Sequence, residues 1–134
     1  MIKISKVAQT LNISADTLRY YEKINLLPPI SRTKSGIRLY SDKNLSQIKF
    51  IKRAQTMSFS LAEIAQLLEF RKAPQQAKPE VRLLAKEKLS DIEQRVKTLQ
   101  SLQVELTLLI NLCHQSEGGC PILSGIETDG GFEK

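Results

Sequence analysis

The chain lacks most of what an enzyme uses. It has one histidine, His114, no pair of carboxylates placed on one face and no glycine-rich phosphate loop. That leaves nothing to carry acid–base or phosphoryl chemistry, and the protein reads as a non-enzyme. It also lacks any apolar run of about 18 residues, so no part of it is expected to cross a membrane as a helix. The opening stretch MIKISKVAQT has no long apolar segment of the secretory type. The expectation is a cytoplasmic protein, whose thiols stay reduced. Cysteine is scarce, with Cys113 and Cys120 only, and a structural disulfide between them is the disfavoured reading. A close pair in that compartment is a metal site or a redox site before it is a staple, and incidental cysteines are the third alternative.

What is present is positive charge, unevenly spread. Residues 1 to 57 hold eleven Lys and Arg against three Asp and Glu, a balance of +8, and residues 58 to 134 hold nine against eleven, a balance of −2. Such asymmetry fits an N-terminal part that meets a polyanion, or a solvated basic face. At 134 residues the chain suits one compact domain or a small domain with an extension.

The pattern along the chain predicts a mainly α protein. Ser5 is placed to cap a short helix with Val7, Ala8 and Leu11 on one side. Asn12 and Ile13 break it, and Ser14 caps a second helix from Ala15 to Lys23. Two short helices with a short turn are helix-turn-helix grammar, over about 5–23. In LLPPISRTKSGIRLYS, Lys34-Ser35-Gly36 marks a turn between two extended pieces, with Gly36 free to take positive φ. Ile37 and Leu39 alternate with Arg38 and Tyr40, as a half-buried strand does. The result is a small β-hairpin wing carrying Arg32, Lys34 and Arg38, cations suited to phosphates beside a groove.

Two more helices follow. Ser41 caps one that runs to about Met57, with Leu45, Ile48 and Ile51 inward and Lys49, Lys52 and Arg53 on other faces. Ser60 and Glu63 form a capping box for the next, which carries Ile64, Leu67 and Leu68. Pro74 and Pro79 bracket a polar link. From Pro79 to Cys113 there is neither glycine nor another proline, and a 4-3 alternation runs through Ala85, Leu89, Ile92, Val96, Leu99, Gln103, Leu106, Ile110 and Cys113. That is a coiled-coil seam of about four heptads, on a helix too long to bury its stripe against the small domain alone. It pairs best with a copy of itself. The expected organisation is a head over 1–71, a linker over 72–78, a dimerisation helix over 79–112, a cysteine loop over 113–123 and a flexible tail over 124–134.

The order of these parts, with TLRYYEKINLL, then GIRLY, then a long helix ending in CHQSEGGCPIL, resembles the MerR family of bacterial transcription regulators, and its metal-sensing branch in particular, over essentially the whole chain. The resemblance implies a homodimer through an antiparallel coiled coil, bound to a pseudo-palindromic operator in a promoter with an overlong spacer. An effector then drives bending and untwisting of the double-stranded DNA, which realigns the promoter for RNA polymerase. The family usually has Tyr where this chain has Ile37, which removes one hydroxyl from the wing. The expected DNA contacts are Ser14, Thr17, Arg19, Tyr20 and Tyr21 on the second helix and Arg32, Lys34, Arg38 and Tyr40 on the wing, with Tyr21 and Tyr40 equally readable as core.

In that setting Cys113 and Cys120 become the candidate ligands of a soft metal ion, with His114 a weaker third. Thiolates select Cu(I) and Ag(I), or Zn, Cd, Pb and Hg. Lys78, 35 residues before Cys113, lies beside the partner's cysteine loop in an antiparallel pair. The family's divalent-ion sensors place a Cys there and its copper sensors a Ser, and this chain has neither. A lysine offsets the net negative charge of two thiolates with a monovalent ion, which favours Cu(I) or Ag(I). The six-residue spacer favours the zinc, cadmium and lead branch, and the metal stays open. A thiol-based redox or electrophile sensor on the same scaffold is the alternative.

Overall fold

A computed structural model describes residues 1–115; most of the cysteine loop, with Cys120, and the tail over 124–134 lie outside the described residues. The order is β1 (Ile2–Lys3), α1 (Ile4–Leu11), α2 (Ala15–Lys23), β2 (Ser31–Arg32), β3 (Arg38–Tyr40), α3 (Asp42–Thr56), α4 (Leu61–Lys72), a 3₁₀ turn (Pro74–Gln76) and α5 (Pro79–His114). Two compact units divide within α5, Met1–Glu87 and the part from Lys88 on.

In the first unit, a three-stranded antiparallel sheet of order β1-β3-β2 joins the chain start to the wing. The first strand is absent from the sequence reading. Ile2 pairs with Tyr40 and Lys3 with Leu39, so the chain passes from strand directly into α1. The N-cap of α1 is therefore Lys3, without a side-chain cap, and Ser5 lies inside the helix rather than capping it. Asn12 ends α1 at φ 52°, a left-handed conformation that asparagine tolerates. Lys52 of α3 reaches back to the Leu11 carbonyl, and to that of Asn12 at 3.3 Å. This cation satisfies the exposed carbonyl end of α1 rather than standing free on another face.

The expected caps of the later helices are in place. Ser14 Oγ accepts from the Thr17 N–H at 3.0 Å. Reciprocal capping boxes join Ser41 with Asn44 and Ser60 with Glu63. The core gathers Val7 from α1, Leu18 from α2, Leu27, Tyr40, Ile48 and Ile51 from α3 and Ile64 from α4, all essentially without exposure. On β3 the inward residue is Tyr40, while Ile37 is exposed at the wing. Tyr40 joins the core cluster with Val7, Leu18 and Ile48, so the strand does not bury its aliphatic side as simple alternation suggests.

Helix α5 spans 36 residues, about 54 Å at 1.5 Å per residue, and none of its side chains is buried. Leu89, Val96, Leu99, Leu106 and Ile110 of the seam are all exposed. Among the described residues, no helix is long and apolar enough to cross a membrane.

Candidate functional site

The face expected to meet DNA is built on α2. Ser14 begins it, and its hydroxyl lies 2.7 Å from the Thr17 hydroxyl. Two hydroxyls thus stand at a helix N-terminus, where peptide dipoles favour an anion. Arg19 is exposed and donates to Asp16 at 2.8 Å. An exposed pair one helical turn apart is worth little, so it yields readily to a phosphate. Tyr20, one residue on, is 49% exposed. Ser14, Arg19 and Tyr20 are exposed and Thr17 partly so, as a surface of polar donors requires.

Tyr21 and Tyr40 are not exposed. Tyr21 is buried and its hydroxyl donates to Gln55 Oε1 of α3 at 2.9 Å, which fastens α2 to α3. Burial raises its pKa, only partly offset by that hydrogen bond. Tyr40 is fully buried, and burial likewise raises its pKa against the opposing charge of Arg38. Both are core side chains, a correction to their expected contact with DNA.

The Tyr40 hydroxyl has no hydrogen-bond partner among the described residues. An unsatisfied buried hydroxyl costs roughly 1–3 kcal/mol. Tyr40→Phe is therefore expected to leave the urea unfolding midpoint unchanged or raised, and operator affinity unchanged. A loss of affinity at constant stability would return Tyr40 to the DNA contacts.

The wing carries its cations unequally. Its turn is set by Gly36 at φ +91°, with open space around the position a Cβ would take. Ile37 N–H donates to the Thr33 hydroxyl at 3.0 Å, and the Thr33 N–H to the Ile37 carbonyl at 2.8 Å. Lys34 and Arg32 are exposed. Arg38 is not a free clamp: its Nε donates to Glu22 Oε1 at 2.7 Å, and both side chains are largely buried. Glu22 Oε2 accepts from the Ile30 N–H at 3.1 Å. Burial alone would raise the Glu22 pKa, but the hydrogen bonds from Arg38 and Ile30 and the charges of Arg38 and Arg32 outweigh it. Its carboxyl sits below its ordinary 4.5. Sequence reasoning missed Glu22, because its partners come from eight and sixteen residues away.

At the other end, α5 places Cys113 half-buried and His114 exposed in its last turn. Among the described residues, no three His, Cys, Asp or Glu side chains gather into a metal-holding group. Lys78 is exposed just before α5, and its carbonyl accepts from the Val81 N–H at 3.0 Å. It lines a cavity of about 540 Å³ with Phe70, Ala73, Ala77 and Val81.

The model of the MerR helix-turn-helix regulatory family matches residues 2–70, and that of the MerR DNA-binding family matches residues 45–109. The Escherichia coli K12 transcriptional regulator ZntR is 35% identical over 131 residues, 95% of this chain and 93% of ZntR. The heavy metal-dependent transcription regulator 2 of Rhizobium meliloti is 30% identical over 126 residues, 93% of this chain and 86% of that protein. Among solved structures, the regulator PbrR691 of Ralstonia metallidurans CH34, in complex with lead(II), is 30% identical at a TM-score of 0.57. That match covers 94% of this chain and 99% of PbrR691.

Proposed function

Since this chain belongs to the MerR family of helix-turn-helix regulators, and is thus a DNA-binding transcription regulator and not an enzyme, we propose that it is a metal-responsive activator. It acts as a homodimer on a pseudo-palindromic promoter operator. It distorts that DNA for RNA polymerase when Cys113 and Cys120 hold a soft metal ion.

One observation carries this reading: a basic head is joined to a 36-residue helix that leaves most of its apolar seam exposed and has Cys113 in its last turn. The seam asks for a second copy. A two-headed dimer then places its recognition helices on successive major-groove faces. Lys78 of the partner approaches the cysteine loop in an antiparallel pair and offsets thiolate charge. The lead(II) complex of PbrR691 supports a soft ion as the effector.

A thiol-redox sensor on the same scaffold, through the same Cys113 and Cys120, is the second reading. Titration of the reduced protein under anaerobic conditions decides. The metal reading expects one ion bound per cysteine pair, and a transcriptional response to metal without oxidant. Response to oxidant alone, with no ion bound, decides for the redox sensor.

The head is tested separately. Arg19→Ala is expected to weaken operator binding with the dimer intact. The log–log salt slope of binding should shrink by about one unit for each phosphate contact removed. Unchanged affinity and slope would exclude this face of α2.

A further inference from the structure

Two arginines face each other on the wing, Arg32 of β2 opposite Arg38 of β3. Like charges directly opposed across a strand pair repel. The fold separates them by giving one a counterion. Arg38 turns to Glu22 at 2.7 Å and keeps only 20% of its side-chain exposure. Arg32 stays exposed, with one long 3.5 Å contact to the Gly36 carbonyl. Glu22 lies in the second half of α2, and its other oxygen holds the Ile30 N–H just before β2. One carboxylate thereby joins the recognition helix, the entry to the wing and its return strand. It is also the sole acidic residue between Asp16 and Asp42.

We propose that Glu22 is a positioning residue of DNA recognition. It locks the wing onto α2 through Arg38 and Ile30, and by engaging Arg38 it leaves Arg32 as the arginine the wing offers to a phosphate. This rests on the DNA-binding reading of the head. It also has a sign that bulk electrostatics does not share. A carboxylate in a basic head repels a polyanion, so charge alone predicts tighter binding once it is removed. Positioning predicts the reverse, confined to the specific site, because both reading elements must meet the duplex in one register.

The test uses the full chain, a duplex selected by the wild-type protein from a random pool, and an unrelated duplex of equal length. Glu22→Gln should lose about tenfold or more in affinity for the selected duplex, while affinity for the unrelated one stays the same or rises. Arg38→Gln should lose similarly. The double variant should lose no more than the worse single, since both break one contact. Arg32→Ala should reduce the salt slope by about one unit per protomer on both duplexes, which Arg38→Gln should not do on the unrelated one. Thermal melting monitors folding. If Glu22→Gln does not fold, Arg38→Lys carries the test, because it keeps the charge beside Glu22 and should lose less affinity than Arg38→Gln. Unchanged or tighter specific binding by Glu22→Gln, losses that add in the double variant, or equal losses in Arg38→Lys and Arg38→Gln overturn the assignment. A wild-type protein that selects no duplex overturns the DNA-binding reading itself, a distinct outcome.

Discussion

Leu99→Asp is expected to leave the protein monomeric at micromolar concentration and without measurable affinity for its operator. Leu99 is 56% exposed on α5, at the middle of a seam that runs from Ala85 to Cys113. Burying a leucine side chain contributes roughly 1.5–3 kcal/mol. A two-fold dimer loses that contribution twice from one substitution. The aspartates add the cost of desolvating two unpaired carboxylates, several kcal/mol each. Since about 1.4 kcal/mol is a tenfold change in an equilibrium constant, the dimer dissociation constant should rise by at least three orders of magnitude. Val96→Asp, on the same stripe, should act alike. Operator binding fails with the dimer because a single head spans one half-site. Sedimentation velocity reads the first effect and gel shift the second. A wild-type chain that sediments as a monomer, or a Leu99→Asp variant that stays dimeric, removes the coiled-coil pairing.

The helices of the head were legible because their signals are local. Ser14, Ser41 and Ser60 each mark an N-cap within three residues of the groups they satisfy, and Gly36 marks its turn by the φ it takes. The length of α5 was legible for the opposite reason: one period repeated over many turns with neither glycine nor proline leaves little ambiguity about a helix. What escaped depends on pairing between distant residues. A two-residue strand such as β1 has no period to detect, so its pairing with β3 hid both the true start of α1 and the burial of Tyr40. Tyrosine carries a core-sized ring and a surface-type hydroxyl, and composition cannot rank the two. Only the fold shows that Tyr20 faces out while Tyr21 meets Gln55. Charge was misread similarly. Arg38 and Lys52 count toward a basic surface, yet one is bound to Glu22 and the other holds the end of α1. The basic surface of the head is thus narrower than its net charge by these two, while Lys3, Lys6, Lys23, Lys43, Lys49 and Arg53 stay exposed alongside Arg19, Arg32 and Lys34.

The sensor end gives the other large effect. Cys113→Ser and Cys120→Ser should each bind the operator with affinity close to that of the wild type, yet lose the transcriptional response to added soft metal. Cys113 lies in the last turn of α5 in the second unit, whereas Arg19, Arg32 and Lys34 belong to the first, so operator binding is expected to need neither thiol. A ligand shifts an equilibrium only by its difference in affinity for the two states. Bending a site of this length costs on the order of 1–6 kcal/mol, and coupling between two sites is typically about 1–3 kcal/mol, a 5- to 150-fold effect. An ion held by both thiolates, tying the loop to the helix end and to the partner's Lys78 region, can supply that difference. A single thiolate that holds the ion loosely in both geometries cannot. Lys78→Ala should weaken a monovalent response if its ammonium offsets the thiolate charge, while Lys78→Cys should extend the response toward divalent ions by adding a third sulfur. In vitro transcription with reduced protein, with and without metal, reads all four variants. Full activation by both serine variants would remove the loop as the sensor. Loss of a peroxide response in place of a metal response would assign the same two sulfurs to redox sensing.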